Sequence, residues 1–122
     1  MKPAILIIED NEQNMYMLSY LLTSSNYDVI KAYNGVDGLH LAHEKHPEII
    51  LIDIQLPDMD GYEICSKLRC NGLPKSTVII AVTSYAMGGD KEKAMEVGAN
   101  GYIEKPINPD TFVKQMECIF KA

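Results

Sequence analysis

Residues 49–61 read IILIDIQLPDMDG: an apolar run leads into Asp53, and a loop containing Pro57 and Gly61 follows at once. Three of the four apolar residues before Asp53 are β-branched, and apolar and polar side chains do not alternate there. Such a run predicts a strand buried on both faces, as in a parallel sheet covered by helices. A carboxylate at the carboxyl end of such a strand lies where open α/β sheets place their ligand sites. The stretch therefore predicts a ligand site at Asp53.

The composition indicates one domain with its own core. The chain has 122 residues, and its formal net charge of −6 argues against an electrostatic nucleic-acid footprint. The three cysteines, Cys65, Cys70 and Cys118, form neither a metal-type pair nor an even disulfide set, which favours reduced thiols in the cytoplasm. The first apolar run, residues 4–8, is too short for a signal peptide or a membrane span. We expect a soluble cytoplasmic protein with a single domain over residues 1–122.

Apolar runs of strand length recur along the whole chain. The predicted strands cover residues 4–8, 28–32, 49–53, 78–82 and 101–104. A segment with helical spacing of apolar residues follows each of them, so strands and helices alternate strictly. This pattern predicts an α/β fold with a parallel sheet, helices on both faces and right-handed crossovers. For five such units we expect the flavodoxin-like strand order 2-1-3-4-5, in which the first and third strands are neighbours.

Capping residues, prolines and glycines mark the ends of the predicted helices. The helix starts are expected at Asn11, Asn34–Gly35, Asp60 (with Glu63 as in a capping box), Asp90 and Asn108–Pro109. The ends are expected near Asn26, before Pro47, near Asn71–Gly72 and at Gly98. Apolar residues at helical spacing predict the inward faces, which include Met15, Leu18, Leu21, Leu22, Val36, Leu39, Ala42, Ile64, Leu68, Phe112, Val113, Met116, Ile119 and Phe120.

Acidic side chains follow two strands that this order makes neighbours. Glu9 and Asp10 come after the first strand and Asp53 ends the third, so three carboxylates are expected to converge on one crevice. Because like charges raise one another's pKa values, a cation is expected to join them, and Mg²⁺ prefers such oxygen ligands. Lys105 after the fifth strand adds a positive charge, and Thr83 after the fourth adds a hydroxyl donor. A carboxylate nucleophile in this setting is suited to accepting a phosphoryl group.

The sequence resembles the response-regulator receiver domains of two-component signalling in five short motifs. They are Glu9-Asp10-Asn11, Asp53 with Pro57-Asp58-Met59-Asp60-Gly61, Thr83-Ser84, Tyr102 and Lys105-Pro106. The motifs occur in the family's order and at its ordinary spacings, and the resemblance covers the whole chain. It is greatest to single-domain receivers and to receiver modules of hybrid kinases with a Glu-Asp-Asn-x-x-Asn start, which is found here at residues 9–14. The resemblance implies a phosphorelay protein rather than a conventional enzyme.

The resemblance also implies a role for each acidic residue of the crevice. Asp53 would be the phosphoacceptor, and a histidine kinase or histidine phosphotransfer protein would be the donor. Asp10 and Asp53 would bind Mg²⁺ directly, with the backbone carbonyl of Gln55 as a third protein ligand. Glu9 would act on the metal ion through water.

The remaining motif residues would respond to the phosphoryl group. Lys105 would pair with the phosphate, and its peptide bond to Pro106 would be cis. Thr83 would hydrogen-bond a phosphoryl oxygen, and Tyr102 would swing inward as it does so, although a strand tyrosine is often only a half-buried packing residue. The surface of the fourth and fifth strands and their helices would then present a changed face to a downstream protein partner.

Three positions depart from the commonest pattern of the family. Ser84 stands where alanine usually follows the switch threonine, Gln55 lies two residues past the acceptor, and Ile107 stands where phenylalanine is frequent. The first two bear on how water reaches the phosphoryl group. They therefore affect its expected lifetime, not its existence.

Other functions use the same residues differently. An aspartyl-phosphate hydrolase usually carries a second acid two residues after the nucleophile, where this chain has Gln55. A flavodoxin-type electron carrier cradles a phosphate after its first strand, where residues 9–12 (EDNE) would repel one. A pseudo-receiver would bind partners without phosphorylation, and a phosphate sink would only drain phosphoryl groups from a kinase.

Overall fold

The computed structural model describes residues 2–70, 72–83 and 90–121, except for the side chains of residues 90 and 91. The described strands are β1 (Ala4–Ile8), β2 (Asp28–Ala32), β3 (Ile49–Asp53), β4 (Val78–Thr83) and β5 (Gly101–Glu104). The described helices are α1 (Glu12–Ser24), α2 (Gly35–Lys45), α3 (Gly61–Cys70), α4 (Asp90–Glu96) and α5 (Phe112–Phe120). The predicted alternation is confirmed, and the strand bounds agree except that β4 extends one residue further, to Thr83.

The strands form a parallel sheet with the order β2-β1-β3-β4-β5. This confirms the flavodoxin-like arrangement predicted from the alternating pattern. β1 and β3 are neighbours, and Ile8 pairs with Ile52 at their carboxyl ends. Because Glu9 and Asp53 come next along the two strands, the register brings both residues to the same edge of the sheet.

The core has two halves, one on each face of the sheet. Successive residues of β1 and β3 enter opposite halves because strand side chains alternate between the two faces. One half combines them with residues of α2 and α3 and includes Leu6, Ile8, Ile50, Ile52, Ala42, Ile64 and Leu68. The other combines them with residues of α1 and α5 and includes Ile5, Ile7, Ile49, Leu51, Met15, Leu18, Leu22, Phe112 and Met116. The predicted burial of β3 on both faces is confirmed.

Hydrogen bonds and backbone angles confirm most of the predicted helix ends. The side chains of Asn11, Asn34 and Asp60 each accept a backbone N–H at the start of a helix, with N···O distances of 2.9, 2.8 and 2.9 Å. Positive φ angles of 70°, 87° and 104° follow α1, α3 and α4 at Asn26, Gly72 and Gly98. Asn71, Ser84 and the capping side chain of Asp90 lie outside the described residues. Among the residues that are described, no helix combines the length and the apolar character of a membrane span.

The inward face of α2 differs from the prediction. Val36 is predicted to face the core, but its side chain is 61% exposed. The helix instead turns its small residues to the sheet, and Gly35, Gly38 and Ala42 are buried. A Cβ atom at Gly38 would lie only 2.5 Å from Cδ1 of Ile8, so α2 approaches β1 too closely for a larger side chain at that point. The helix has one buried face, as the periodicity predicts, but glycines rather than Val36 lie on that face.

The start of α5 also differs from the prediction. The helix begins at Phe112 and not at Asn108–Pro109. Asn108 begins a turn that leads into the helix, in which its side chain accepts the N–H of Asp110 at 2.9 Å and its carbonyl accepts the N–H groups of Thr111 at 3.1 Å and Phe112 at 2.9 Å. An asparagine side chain bonded two residues ahead is typical of turns as well as of helix caps, which explains the error.

Candidate functional site

Three carboxylates converge at the carboxyl ends of β1 and β3. One ligand oxygen from each of Glu9, Asp10 and Asp53 lies within 4.8 Å of the other two. Glu9 and Asp53 are buried, with 2% and 4% of their surface exposed, whereas Asp10 is exposed. Within the described part of the chain, this is the one group of three or more His, Cys, Asp or Glu side chains arranged to hold a metal ion. The expected convergence of the three acids is confirmed.

Lys105 reaches this cluster from the end of β5. Its Nζ lies 2.9 Å from Oε1 of Glu9 and 3.3 Å from Oδ2 of Asp53, and its side chain is only 15% exposed. Its backbone N–H donates to the carbonyl of Thr83 at 2.7 Å, which fixes the exit of β5 against the exit of β4. The peptide bond from Lys105 to Pro106 is cis, as the resemblance implies.

Burial controls the ionisation of Asp53. Burial raises the pKa of its carboxyl group most, and the neighbouring Glu9 raises it further, although the N–H of Gln55 and the charge of Lys105 lower it. The net effect is a pKa of about 7, against an ordinary value of 3.8. Without a further cation, the carboxyl group of Asp53 is therefore partly protonated near neutral pH.

The partners of Asp53 are held in the charged form. Burial would raise the pKa of Glu9, but its hydrogen bonds with Lys105 and with the N–H of Asn11 outweigh burial and lower that pKa. Burial would likewise lower the pKa of Lys105, yet its contacts with Glu9 and Asp53 raise it. A stable Glu9–Lys105 ion pair therefore lies beside a carboxyl group that holds a proton more readily than usual.

Backbone hydrogen bonds fix the two acidic loops. The N–H of Glu9 donates to the carbonyl of Ala32 at 3.0 Å, which ties the end of β1 to the end of β2. The N–H of Gln55 donates to Oδ1 of Asp53 at 3.0 Å and so orients that carboxylate. These bonds leave Oδ2 of Asp53 as the oxygen that faces Lys105.

The donor set suits a hard divalent cation. Three carboxylates supply oxygen ligands at one point, and the single ammonium group of Lys105 does not balance three negative charges. Mg²⁺ is typically bound through one or two carboxylates, with water and phosphate oxygens filling the other positions. The exposed Asp10 provides an accessible side for such ligands.

The two predicted switch residues lie on the neighbouring strands. Thr83 is buried at the end of β4, and Lys105, whose backbone contacts it, comes from the next strand. Tyr102 is half-buried in β5 and pairs with Ala81, two residues before Thr83. The sheet register pairs Thr83 with Glu104, so Tyr102 lies two residues before the level of Thr83 on the neighbouring strand. The residues after Thr83, beginning with Ser84, lie outside the described residues.

One residue near the site has a role that the sequence did not reveal. Asp58 lies in the loop between β3 and α3, and its carboxylate accepts hydrogen bonds from the first N–H groups of α2. The sequence contains it only as one letter of a family motif. Because α2 already has its own capping residue in Asn34, no local pattern indicates that a second capping side chain, the carboxylate of Asp58, reaches the same helix end.

Comparisons with known proteins agree with this fold and site. The sequence matches the response regulator receiver domain family over residues 5–117. It is 38% identical over 117 residues to the polar-differentiation response regulator DivK of Brucella ovis. The matched residues cover 96% of this chain and 95% of that protein. The chemotaxis response regulator CheY4 of Vibrio cholerae shares the fold with a TM-score of 0.92 at 28% identity, over 98% of this chain and 99% of that one.

A further solved structure bears on the acidic cleft. The receiver domain of the sensor histidine kinase PA1611 from Pseudomonas aeruginosa was solved with a magnesium ion coordinated in its active-site cleft. It shares 28% identity with this chain and has a TM-score of 0.88 over 100% of both chains. Fold, cleft and sequence together define a signalling receiver. The chain belongs to the response regulator receiver domain family of two-component signalling.

Proposed function

We propose that this protein is a single-domain response regulator that accepts a phosphoryl group on Asp53. The donor would be a phosphohistidine of a sensor kinase or of a histidine phosphotransfer protein. The observation that carries the proposal is the buried Asp53 carboxylate, 3.3 Å from Nζ of Lys105 and grouped with Glu9 and Asp10 in one cleft. The similarity to the response regulator DivK, which extends over 95% of that protein, supports the proposal.

The proposed reaction is a transfer between two side chains. An oxygen of the Asp53 carboxylate forms a bond to phosphorus as the bond from phosphorus to the donor's imidazole nitrogen breaks, and the imidazole keeps the electron pair. The N–H of Gln55 donates to Oδ1 of Asp53 and so keeps the attacking carboxylate in a fixed orientation. Lys105, which its contact with Glu9 helps to keep charged, would turn to the oxygens of the incoming phosphoryl group.

We propose Mg²⁺ as the cofactor of this site. Asp10, Asp53 and the backbone carbonyl of Gln55 would be its protein ligands, and Glu9 would act through water. When bound, the ion would neutralise charge on the carboxylates and on the phosphoryl oxygens. The cluster of three carboxylates supports this assignment, as does the magnesium ion in the related receiver of PA1611.

The output of the switch is proposed to be a changed protein contact. Phosphorylation adds about −1.5 to −2 charges at pH 7. Thr83 would hydrogen-bond a phosphoryl oxygen, Tyr102 would move inward, and the face formed by β4, α4, β5 and α5 would bind a downstream protein. Because moving a two-state switch from 1:99 to 99:1 requires about 5.5 kcal/mol, binding of that partner is expected to complete the change.

The remaining parts of the proposal concern the protein as a whole. We infer that residues 1–122 act as one receiver domain, catalysing only its own phosphorylation and slow dephosphorylation, and that it binds neither nucleic acid nor a membrane. The three cysteines are free thiols, which is consistent with the proposed cytoplasmic location.

Incubation with acetyl phosphate and Mg²⁺, followed by intact-mass measurement, tests the proposed chemistry. We expect the mass to rise by one phosphoryl group in the wild type and not in Asp53→Asn or in the presence of a chelator. If the wild type binds Mg²⁺ but gains no mass from acetyl phosphate or from a phosphohistidine donor, the protein is a pseudo-receiver instead.

A further inference from the structure

The loop between β3 and α3 is fastened to the start of α2 by a single side chain. Both oxygens of the Asp58 carboxylate accept the N–H of Gly35, at 2.9 and 3.1 Å, and Oδ2 also accepts the N–H of Val36 at 3.2 Å. More than twenty residues of sequence separate the carboxylate from these donors. The contact therefore joins two segments that are distant in the sequence.

Asn34 caps the same helix from the local side. Its side chain accepts the N–H of Asp37 at 2.8 Å, and its carbonyl accepts the N–H of Gly38 at 3.1 Å. The first four N–H groups of an α-helix have no partner within the helix. In α2 the N–H groups of Gly35 and Val36 go to Asp58 and that of Asp37 goes to the Asn34 side chain, so the two caps divide the helix end without overlap. Of the two capping side chains, only Asp58 belongs to the loop that follows Asp53.

The Asp58 loop is closed at its base, directly below the cleft. Gln55 and Asp60 form an antiparallel bridge, and the N–H of Gly61 donates to the carbonyl of Ile54 at 3.0 Å. The base includes Gln55, whose N–H binds Oδ1 of Asp53. A shift of the loop tip would therefore be passed through this closed turn to the backbone of Gln55 and to the carboxylate of Asp53.

Packing at the tip makes the attachment close. Met59 follows Asp58, and a Cβ atom built on Gly35 would lie 2.9 Å from Cβ of Met59 and 2.9 Å from Cδ1 of Ile64. The absence of a side chain at Gly35 lets the loop and the helix end approach each other. Ala32, at the end of β2, also accepts the N–H of Glu9, so one short segment from β2 into α2 braces both acidic loops.

We propose that Asp58 is a positioning residue that sets the Mg²⁺ affinity of the cleft by bracing the β3–α3 loop against α2. Its carboxylate would hold the Gln55 carbonyl and the Asp53 carboxylate in the arrangement that binds the cation, without contacting the cation itself. The inference rests on the proposed function only in taking Mg²⁺ as the ligand of the cleft. It does not depend on phosphorylation.

Mg²⁺ titration by calorimetry of the wild type, Asp58→Ala and Asn34→Ala tests this role. Both variants remove a cap from α2, but only the first frees the loop. Because loss of a residue that orients a metal ligand typically costs 10–100-fold in metal affinity, we expect Asp58→Ala to bind Mg²⁺ about tenfold more weakly. Asn34→Ala should keep the wild-type affinity although its melting temperature falls. Asp58→Asn, which keeps one acceptor oxygen, should lie between the wild type and Asp58→Ala.

Hydrogen exchange of the Gln55 amide gives a readout independent of metal binding. Without Mg²⁺, exchange there should be faster in Asp58→Ala than in Asn34→Ala. Equal Mg²⁺ affinity in the wild type and Asp58→Ala, or an equal loss in Asn34→Ala, would show that Asp58 only stabilises the helix. If Asp58→Ala does not fold, the comparison of Asp58→Asn with Asn34→Ala decides in the same way. A wild type that binds no Mg²⁺ would overturn the proposed cofactor as well.

Discussion

At Asp53, burial and the neighbouring Glu9 act against the Gln55 N–H and the Lys105 charge on the ionisation of one carboxyl group. Burial is the largest influence and brings its pKa to about 7, although the N–H of Gln55 and the charge of Lys105 favour the ionised form. Only the ionised carboxylate can attack phosphorus. A divalent cation on the open side of the cleft would displace the proton, so the proposed metal would prepare the nucleophile as well as neutralise the phosphoryl oxygens.

The same pKa predicts how stability changes with pH in the absence of Mg²⁺. The folded protein holds a proton on Asp53 up to a pH of about 7, whereas the unfolded chain releases it near 3.8. The stabilising contribution of Asp53 should therefore be fully present below about pH 4 and fall as pH rises to about 7, and the part of this fall between pH 5 and 7 is the window for the measurement. Since one pKa unit corresponds to about 1.4 kcal/mol, we expect a loss of roughly 2–4 kcal/mol that is absent in Asp53→Asn.

Urea unfolding of both proteins at several pH values, in a chelator, measures this difference. Glu9 does not obscure it, because the pKa of Glu9 is lowered from 4.5, so that its contribution is lost only below the window. The raised pKa of Lys105 acts above its ordinary value of 10.5, on the alkaline side of the window. Parallel stability curves for the wild type and Asp53→Asn between pH 5 and 8 would contradict the prediction. Titrating groups that do not contact Asp53 are common to both proteins and cancel.

Between β3 and α3, the chain turns so sharply that only glycine fits at Gly61. A Cβ atom there would lie 2.5 Å from Cα of Ile54 and 2.7 Å from the carbonyl oxygen of Asp53. These are backbone atoms, which cannot rotate aside as the end of a side chain can. Overpacking of this kind typically costs 1–3 kcal/mol, more than the roughly 1 kcal/mol by which alanine favours a helix over glycine.

Gly61→Ala should therefore lower the free energy of unfolding by about 1–3 kcal/mol. Because the displaced atoms belong to Asp53 and Ile54, the variant should also weaken Mg²⁺ binding. Val36→Ala is the matched control, since that side chain is 61% exposed and its loss should change stability by no more than about 0.5 kcal/mol. Chemical denaturation with metal titration measures both effects, and a Gly61→Ala protein as stable as the control would refute the assignment.

The elements differ in how well the sequence predicts them. Apart from β2, which contains Lys31, the strands are unbroken apolar runs with a charged or polar residue at or just after the end, and their bounds are confirmed to within one residue at β4. The helices follow weaker signals. Asn108 resembles a cap but forms a turn before α5, and Val36 fits the periodicity of α2 but faces solvent because Gly38 occupies the close approach to β1. The spacing of apolar residues along a helix does not show how close the helix lies to the sheet.

At the scale of the molecule, topology makes the candidate site predictable. In a parallel sheet the residues after each strand meet at one edge, so Glu9, Asp10, Asp53 and Lys105 could be grouped once the strand order was known. Contacts between polar side chains on distant elements leave no periodic trace in the sequence. The bond from Asp58 to α2 and the bond from Tyr27 to Glu117 therefore required the three-dimensional structure.

Tyr27 ties the first third of the chain to its last helix. Its ring is 5% exposed, and its hydroxyl donates to Oε2 of Glu117 in α5 at 2.8 Å, across 90 residues of sequence. Burial first, and then the Glu117 carboxylate, raise the pKa of Tyr27 to about 12, so the hydroxyl remains a donor throughout the neutral range. This bond joins the residue just before the edge strand β2 to α5, which is part of the proposed output face.

Tyr27→Phe should remove the bond while keeping the ring packed. A hydrogen bond to a charged group is typically worth about 1.5–3 kcal/mol, but Glu117 is partly exposed, and water would replace much of the lost donor, so we expect a loss of about 1 kcal/mol. Amide exchange in α5 should quicken more than in α3, because the bond holds only α5 directly. Tyr20→Phe, at a 64% exposed position, serves as the control and should change neither quantity. Equal stability and equal α5 exchange in the two variants would mean that packing under α5, by Phe112 and Met116, holds the helix without help from Tyr27.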